Sequence, residues 1–467
     1  MTERPNIIVF LTDDHGQWAA NCYGCASLHT PTMDRLAQTG ARLTRAFTPS
    51  PVCSPARACF FTGRFPSQHG IHDWVHEYHG GRSHPGLTGQ TLISELLRDG
   101  GYQTALVGKW HCGDSRRPAA GFDRWFSFYE DQYPHAGEIH FSDQGELVVE
   151  HGRRSALITD RALAFLRERD HDRPYFMTVG YVDTHSPFSG HAERLAAHYR
   201  RQALDDIPRE ARPALYGEAV RGRPTDDAEH HEALAQYYAS VTAMDEQMGR
   251  ILDELEARGE LDNTLIVYTS DHGHMNGQHD LYCKGNATTP QNFFDESILV
   301  PCLMSWPARI AAGQVCEQFV DHCDLFATVL DAAGVALDEA QRAAINSPGR
   351  SFLPLLDGRD PGDDWRDAQV CEYGNARMIR TRDFKLVRRY PTPVRYDCDE
   401  LYDLRVDPRE TLNRIDLPGL ESVFDALRSR LNAFFAEYED PQRSGKAIMH
   451  QPMCSGHEPW RRGVAAD

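Results

Sequence analysis

Four stretches of the chain are almost wholly apolar and rich in β-branched or aromatic residues, with Asn6 and Gln103 near their starts as the strongly polar exceptions: Asn6 to Leu11, Tyr102 to Val107, Tyr175 to Tyr181 and Leu265 to Thr269. Runs of this length, rather than strict alternation, are what a strand buried on both faces of a parallel sheet requires. Each run hands over within a few residues to polar chemistry. Asp13 and Asp14 follow the first, Lys109 and His111 the second, Asp183 and His185 the third, and Asp271 and His272 the fourth. Open parallel sheets bind ligands beyond the carboxyl ends of their strands, so these groups are expected to converge on one side of the molecule. A fifth apolar stretch, Ile298 to Met304, carries Pro301, which cannot donate to a ladder, and predicts an edge strand or the end of one.

Between the strands the pattern changes to helical spacing. Thr30 to Ala37 reads as a capped helix, with Thr30 as N-cap, Pro31 at its first position and Gly40 closing it. Further helices are expected at Leu92 to Leu97, stopping at Gly100-Gly101, at Ala156 to Arg169, and at His231 to Glu256 ahead of Gly259. Ser189 to His230 is polar with several prolines and predicts an insertion or lid over the site. From Ser347 to Trp365 the composition turns to proline, glycine and aspartate, which divides a catalytic α/β domain, residues 1–365, from a C-terminal subdomain and tail, residues 366–467. Met378 to Arg389 and Asp399 to Leu404 read as antiparallel strands and Leu420 to Tyr438 as an amphipathic helix. The expected fold is thus a large, mostly parallel sheet sandwiched by helices, with a smaller α+β subdomain. The pattern leaves the polar tail from Pro441 either loose or packed on a neighbouring subunit of a homo-oligomer.

Charge narrows the partners. The 467 residues hold 49 lysines and arginines against 68 acidic residues, a net charge of -19. Such a field repels polyanions, which argues against nucleic acid and more weakly against large sulfated polysaccharides; a few local cations still suffice for a small anion. No apolar run approaches the roughly 20 residues needed to span a bilayer. Met1-Thr2-Glu3-Arg4-Pro5 leads straight into the first strand without a leader, so a cytoplasmic location is expected. Twelve cysteines without a regular framework suit a reducing compartment, and Cys22-x-x-Cys25 reads as two buried thiols ahead of any metal or redox role.

Three stretches are candidates for chemistry. Cys53-Ser54-Pro55-Ala56-Arg57 puts a thiol and a fixed cation at the start of a short helix, where unpaired N-H groups and a partial positive charge favour an anion. Adjacent carboxylates at Asp13-Asp14 repel each other unless a cation lies between them, which suggests a hard-metal site; a solvated turn is the alternative. His69, His72, His76 and His79, interleaved with Asp73, Trp74 and Tyr78, form a histidine-rich segment that Gly70, Gly80 and Gly81 mark as a loop, expected to line a pocket or lie on the surface. Trp74, Tyr78, Phe188, His274, Asn276 and Tyr282 are candidate pocket residues.

Cys53-x-Pro55-x-Arg57 followed by Thr62-Gly63-Arg64 resembles the signature of type I sulfatases in the alkaline phosphatase superfamily. Gly101-Tyr102-x-Thr104, then Gly108-Lys109-Trp110-His111, resembles the second signature, in the expected order. Leu401-Tyr402-Asp403-Leu404, Asp407-Pro408, Glu410 and Asn413 resemble the family's C-terminal subdomain. The resemblance implies hydrolysis of a small aryl, alkyl or sugar sulfate. It implies that Cys53 is oxidised to formylglycine by a maturation enzyme, and that its hydrate attacks sulfur and later collapses to expel sulfate. Asp13, Asp14, Asp271 and His272 would then hold one divalent cation together with residue 53, calcium before manganese. Arg57 and Lys109 would fix the hydrate, Asp271 assist its deprotonation, His185 or Lys284 protonate the leaving oxygen, and His111 take up the last proton. Many family members carry asparagine where His272 stands. The Asp-His pair also resembles the phosphonate monoester hydrolase branch, which is the alternative activity and would suit manganese. The different-class alternative is a silent anion-binding protein with an unconverted Cys53.

Overall fold

The computed structural model describes residues 4–76, 84–128, 135–218, 223–359, 365–394 and 398–461. Its main sheet holds β1 (Asn6–Thr12), β2 (Ala41–Leu43), β3 (Gln103–Gly108), β4 (Arg124–Phe128), β5 (Ala136–Asp143), β6 (Glu146–Arg153), β7 (Tyr175–Gly180), β8 (Thr264–Ser270), β9 (Cys302–Ser305) and β10 (Gln314–Cys316). They lie in the order β10-β2-β9-β8-β1-β7-β3-β4-β5-β6. The middle run from β8 to β4 is parallel. Antiparallel pairings join β9 to β8 and β2 on one side, and β5 to β4 and β6 on the other. The four apolar runs are therefore neighbours in space, β8, β1, β7 and β3.

Their ends are level. Thr12 pairs with Ser270, Phe10 with Val179, and Gly108 with Gly180, so the residue after each strand emerges at nearly the same height. Two glycines permit this. Gly108 sits at φ 109, and a Cβ there would lie 2.2 Å from the Gly180 oxygen; one on Gly180 would lie 2.6 Å from the Lys109 nitrogen.

Helices cover both faces: α1 (Pro31–Thr39), α2 (Cys53–Thr62), α3 (Arg154–Glu168), α4 (Asp227–Ala257) and α5 (His322–Ala333) among them. The two-residue period of β1 sends Ile8 and Phe10 to the side of α3 and α4, into one core with Ile158, Leu166, Met244 and Ile251. Ile7, Val9 and Leu11 point to the other side, into a core with Phe60 and Phe61 of α2 and Phe326 and Val329 of α5. All ten residues of α2 are buried, so the helix bearing Cys53 has no solvent face.

Three expectations are corrected. Thr30, Pro31 and Gly40 hold the N-cap, first and C-cap positions of α1 as expected, but the capping acceptor is not the Thr30 side chain; the Asp245 carboxylate of α4 accepts from the Thr32 and Met33 N-H groups, both at 2.9 Å. A tertiary acceptor has replaced the local one. The apolar stretch with Pro301 is not an edge: β9 begins at Cys302, one residue past the proline, and lies between β8 and β2. Pro301 precedes the ladder and so removes none of its donors. The tail from Pro441 packs on its own chain as far as described, with Trp460 fully buried and Ile448 and Cys454 nearly so.

The C-terminal part forms a second, antiparallel sheet of β11 (Ala368–Tyr373), β12 (Ala376–Thr381), β13 (Phe384–Arg389) and β14 (Glu400–Asp403), covered by α6 (Glu421–Tyr438). The insertion ahead of α4 is described in part: a short helix, Glu193–Tyr199, lies on α4 through buried Leu195 and Tyr199.

Candidate active site

The level strand ends bring the expected groups together around residue 53. Cys53 is the first residue of α2 and is 2% exposed. Its Sγ lies 3.0 Å from Lys284 Nζ, 3.2 Å from His272 Nε2 and 3.4 Å from Asp13 Oδ1. His111, just beyond the end of β3, has its Nε2 3.2 Å from the Val75 oxygen. Lys109 Nζ donates to Asp13 Oδ2 at 2.6 Å, and Lys284 Nζ donates to Asp14 Oδ1. His185 Nε2 stands 3.9 Å from Asp14 Oδ2 and keeps part of its ring exposed.

Arg57 organises rather than faces the centre. Its Nε donates to Asp271 Oδ2 at 2.8 Å, while its other nitrogens donate to the Lys109 and Thr12 carbonyls at 3.1 and 3.0 Å. One buried guanidinium thus ties α2 to the ends of β1, β3 and β8, a use suited to its rigid fork of donors. His322 Nε2 bonds the Ser270 oxygen at 2.9 Å from the start of α5, a support no spacing in the sequence announced.

The electrostatics follow from burial set against neighbours. Burial would raise the Asp13 carboxyl, but Lys109, His185, Lys284 and Arg57 hold it well below the usual range. Asp14 is likewise lowered against its burial, chiefly by Lys284. Burial would lower Lys284, yet Asp14 above all raises it well above the usual lysine value. Burial, reinforced by Lys109, pushes His111 down to about 4, so its imidazole is neutral at pH 7. His185 is also lowered, mainly by burial.

The donor set fits a divalent cation. His272 Nδ1 lies 2.7 Å from the Gly273 oxygen; donating there, it turns an Nε2 lone pair toward Asp14 and Asp271 oxygens, both at 3.3 Å, and Asp13 Oδ1 at 3.8 Å. Lone pairs aimed at one another in this way call for a positive charge between them. Ligand atoms of Asp13, Cys53, Asp271 and His272 all lie within 4.8 Å of one another, and so do those of Asp14, Cys53 and His185.

Some expected members lie elsewhere. Asp183 turns away to His191, 4.0 Å from its Nδ1, because the turn after β7 presents only His185 to the centre. The histidine-rich loop neither lines the cavity nor forms plain surface where described. His72 Nε2 bonds the Arg443 oxygen at 2.7 Å, Asp73 accepts from Tyr373 and Ser455, and Trp74 stacks on His457. It is the seat of the C-terminal tail; Tyr78 and His79 lie outside the described residues. Cys22 and Cys25 are thiols whose burial pushes them up to about 12 and about 11.

A cavity of about 780 Å³ opens beside the centre. His274, which lines it, is 3.6 Å from Asp14 Oδ2, and the lining residues Ser186 and Cys283 adjoin His185 and Lys284. Of the candidate pocket residues, Phe188, His274, Asn276 and Tyr282 line it and Trp74 does not.

The fold is an α/β sandwich of the alkaline-phosphatase-like kind, and comparison places it further. The sulfatase family model matches residues 5–335, and one described as N-sulphoglucosamine sulphohydrolase, C-terminal, matches 287–437. The chain belongs to the sulfatase family and is a sulfatase, an enzyme of sulfate ester hydrolysis. An N-acetylglucosamine-6-O-sulfatase of Bacteroides thetaiotaomicron is 30% identical over 88% of this chain and 83% of its own length. A protein solved in complex with its substrate D-glucosamine-2-N,6-O-disulfate superposes with a TM-score of 0.79 at 27% identity, covering 93% of this chain and 98% of that one. The phosphonate monoester hydrolase of Agrobacterium radiobacter shares the fold, with a TM-score of 0.73 at 22% identity over 93% of this chain and 96% of its own.

Proposed function

We propose that this sulfatase cleaves a small sulfate monoester with residue 53 as the nucleophile position, matured from cysteine to formylglycine, beside one divalent ion held by Asp13, Asp14, Asp271 and His272. The observation that carries the reading is the environment of Cys53: the buried first residue of a helix, within 3.4 Å of Lys284, His272 and Asp13. The aldehyde hydrate would supply the attacking oxygen, and an ion held by those four side chains would lower its pKa.

The chain's own residues divide the remaining work. Lys109 and Lys284 stand as cations beside Asp13 and Asp14 and screen the charge of an incoming sulfate. His185, whose ring is partly exposed, or Lys284, next to the cavity-lining Cys283, is the candidate to give the proton that a leaving oxygen needs. His111, whose burial keeps its imidazole neutral, is the group to accept a proton from residue 53. Arg57 keeps Asp271 and the strand ends in register.

Mass measurement of the Cys53 peptide from native-host protein tests this directly, with replacement of CH2SH by CHO expected. An unmodified thiol, from a host that converts other such motifs, would sink the mechanism. Dialysis against a chelator should abolish turnover, and calcium or manganese should restore it. The imidazole at 272 favours a second reading, a phosphonate monoester hydrolase; a much higher kcat/KM for a phenyl phosphonate ester than for an aryl sulfate would establish it. We further propose a cytoplasmic location, on the unpatterned cysteines, which cell fractionation checks.

A further inference from the structure

We infer that the cavity beside residue 53 takes a sulfate monoester whose body is apolar and uncharged apart from one hydrogen-bond-accepting oxygen, and that Asn276 reads that oxygen; this rests on the sulfatase reading above. Asn276 is 1% exposed and lines the cavity, yet its Nδ2 has no hydrogen-bond partner among the described residues. It is held rigidly. Asn276 pairs with Tyr282 in a short antiparallel ladder, and its backbone N-H donates to Gln278 Oε1 at 2.7 Å. A buried donor left unpaired is costly, and an acceptor arriving with the substrate removes that cost.

Of the cavity's other polar groups, His274 Nδ1 also lacks a hydrogen-bond partner among the described residues but faces Asp14 Oδ2 at 3.6 Å, toward the centre, whereas those farther along the wall are committed. Arg223 pairs with Asp280 at 2.7 Å. Glu232 is gripped by Arg200 through two bonds of 2.7 Å, and Glu229 accepts from the Thr225 N-H and hydroxyl. The Tyr282 hydroxyl is 2.8 Å from His230 Nδ1. Between these groups the wall is Phe188, Pro224, Ala228 and Ala233. A second sulfate on the substrate would meet two carboxylates and no uncommitted cation among the described lining residues. Multiple hydroxyls would be desolvated against carbon, whereas an apolar body with one acceptor matches what the wall offers.

Four primary alkyl sulfates with closely matched leaving oxygens test this on the matured, metal-loaded enzyme. They are cyclohexylmethyl sulfate, tetrahydropyran-2-ylmethyl sulfate, D-glucosamine 6-sulfate and D-glucosamine-2-N,6-O-disulfate. The tetrahydropyran ester is expected to have the highest kcat/KM, about tenfold above the cyclohexyl ester for one satisfied donor, with both sugars lower and the disulfate lowest. Asn276→Leu should erase the tenfold gap between the two ring esters, mainly through KM. The wild-type ranking stands even if that variant misfolds. Preference for either sugar overturns the inference while leaving the sulfatase reading intact, and so does an unchanged gap in a folded Asn276→Leu. Sulfate release from none of the four, nor from an aryl sulfate, brings down the underlying reading instead.

Discussion

Buried charge occurs in two regions of this molecule, and it is arranged differently in each. Along the seam between the small sheet and residues 291–296, every ion answers another. Lys385 donates to Asp295 Oδ1 and the Phe293 oxygen at 2.7 and 2.8 Å and also contacts Glu410; Arg380 grips Asp295; Arg389 pairs with Glu400, which also accepts from Tyr402. At the strand ends the carboxylates are paired too, Asp13 with Lys109, Asp14 with Lys284 and Asp271 with Arg57, but their remaining lone pairs, an imidazole and residue 53 point at a common centre. Closed pairs fix a surface in place, whereas convergent donors leave something for a ligand to complete. The number of buried charges is thus a poor guide to a functional site; the direction of their lone pairs is a better one.

The sharpest way to break that contrast is at residue 53. Cys53→Ala should lower sulfate release by about 10^4-fold or more, as loss of a nucleophile does, with little change in melting temperature. Next, His185→Ala or Lys284→Ala should cost about 10^2 to 10^4-fold in kcat, with the larger loss on substrates whose leaving oxygen is more basic. The seam should respond in the opposite currency: Arg389→Met strands Glu400 and should cost about 3–5 kcal/mol of stability in denaturant titration, while the folded fraction keeps its kcat. A loss of kcat without a loss of stability there would dissolve the distinction.

The smallest effect expected is a change of slope with pH. Burial pushes the Asp245 carboxyl up to about 7, against the backbone N-H bonds that lower it. A folded-state value above the unfolded one near 4 favours the protonated form, so the associated stability is complete below about pH 4 and is lost as pH rises toward 7. Asp245→Asn should flatten that part of the stability profile, read from denaturant midpoints between pH 4 and 8. An unchanged slope would show that another group carries it.

What the sequence disclosed, and what it hid, follows the same division. The runs of β1, β3, β7 and β8 are legible because burial on both faces demands a nearly unbroken apolar run, and the site residues follow those strands so closely that their convergence could be read from order alone. Asp183 was misread because strand pattern does not set which way a side chain leaves the following turn. β11 was missed because Gln369 and Glu372 interrupt its apolar residues, being buried by partners far along the chain. The β5-β6 hairpin did carry a signal, Gln144-Gly145, with both residues at positive φ in the structure. The Asp245 cap and the seat of the tail depend on contacts between residues hundreds of positions apart, which no local pattern encodes.

That seat has a consequence in time. The tail's Arg443, Cys454 and Ser455 close over His72, His76 and Asp73, and this loop in turn donates from Val75 to Ser54 Oγ, beside Cys53. The last described residues of the chain therefore complete the walls around one of its early helices. At the roughly 5–20 residues per second of synthesis, about 20–80 seconds separate the appearance of residue 53 from that of its final covering. Any enzyme that modifies position 53 has that interval, before the chain shuts its own door.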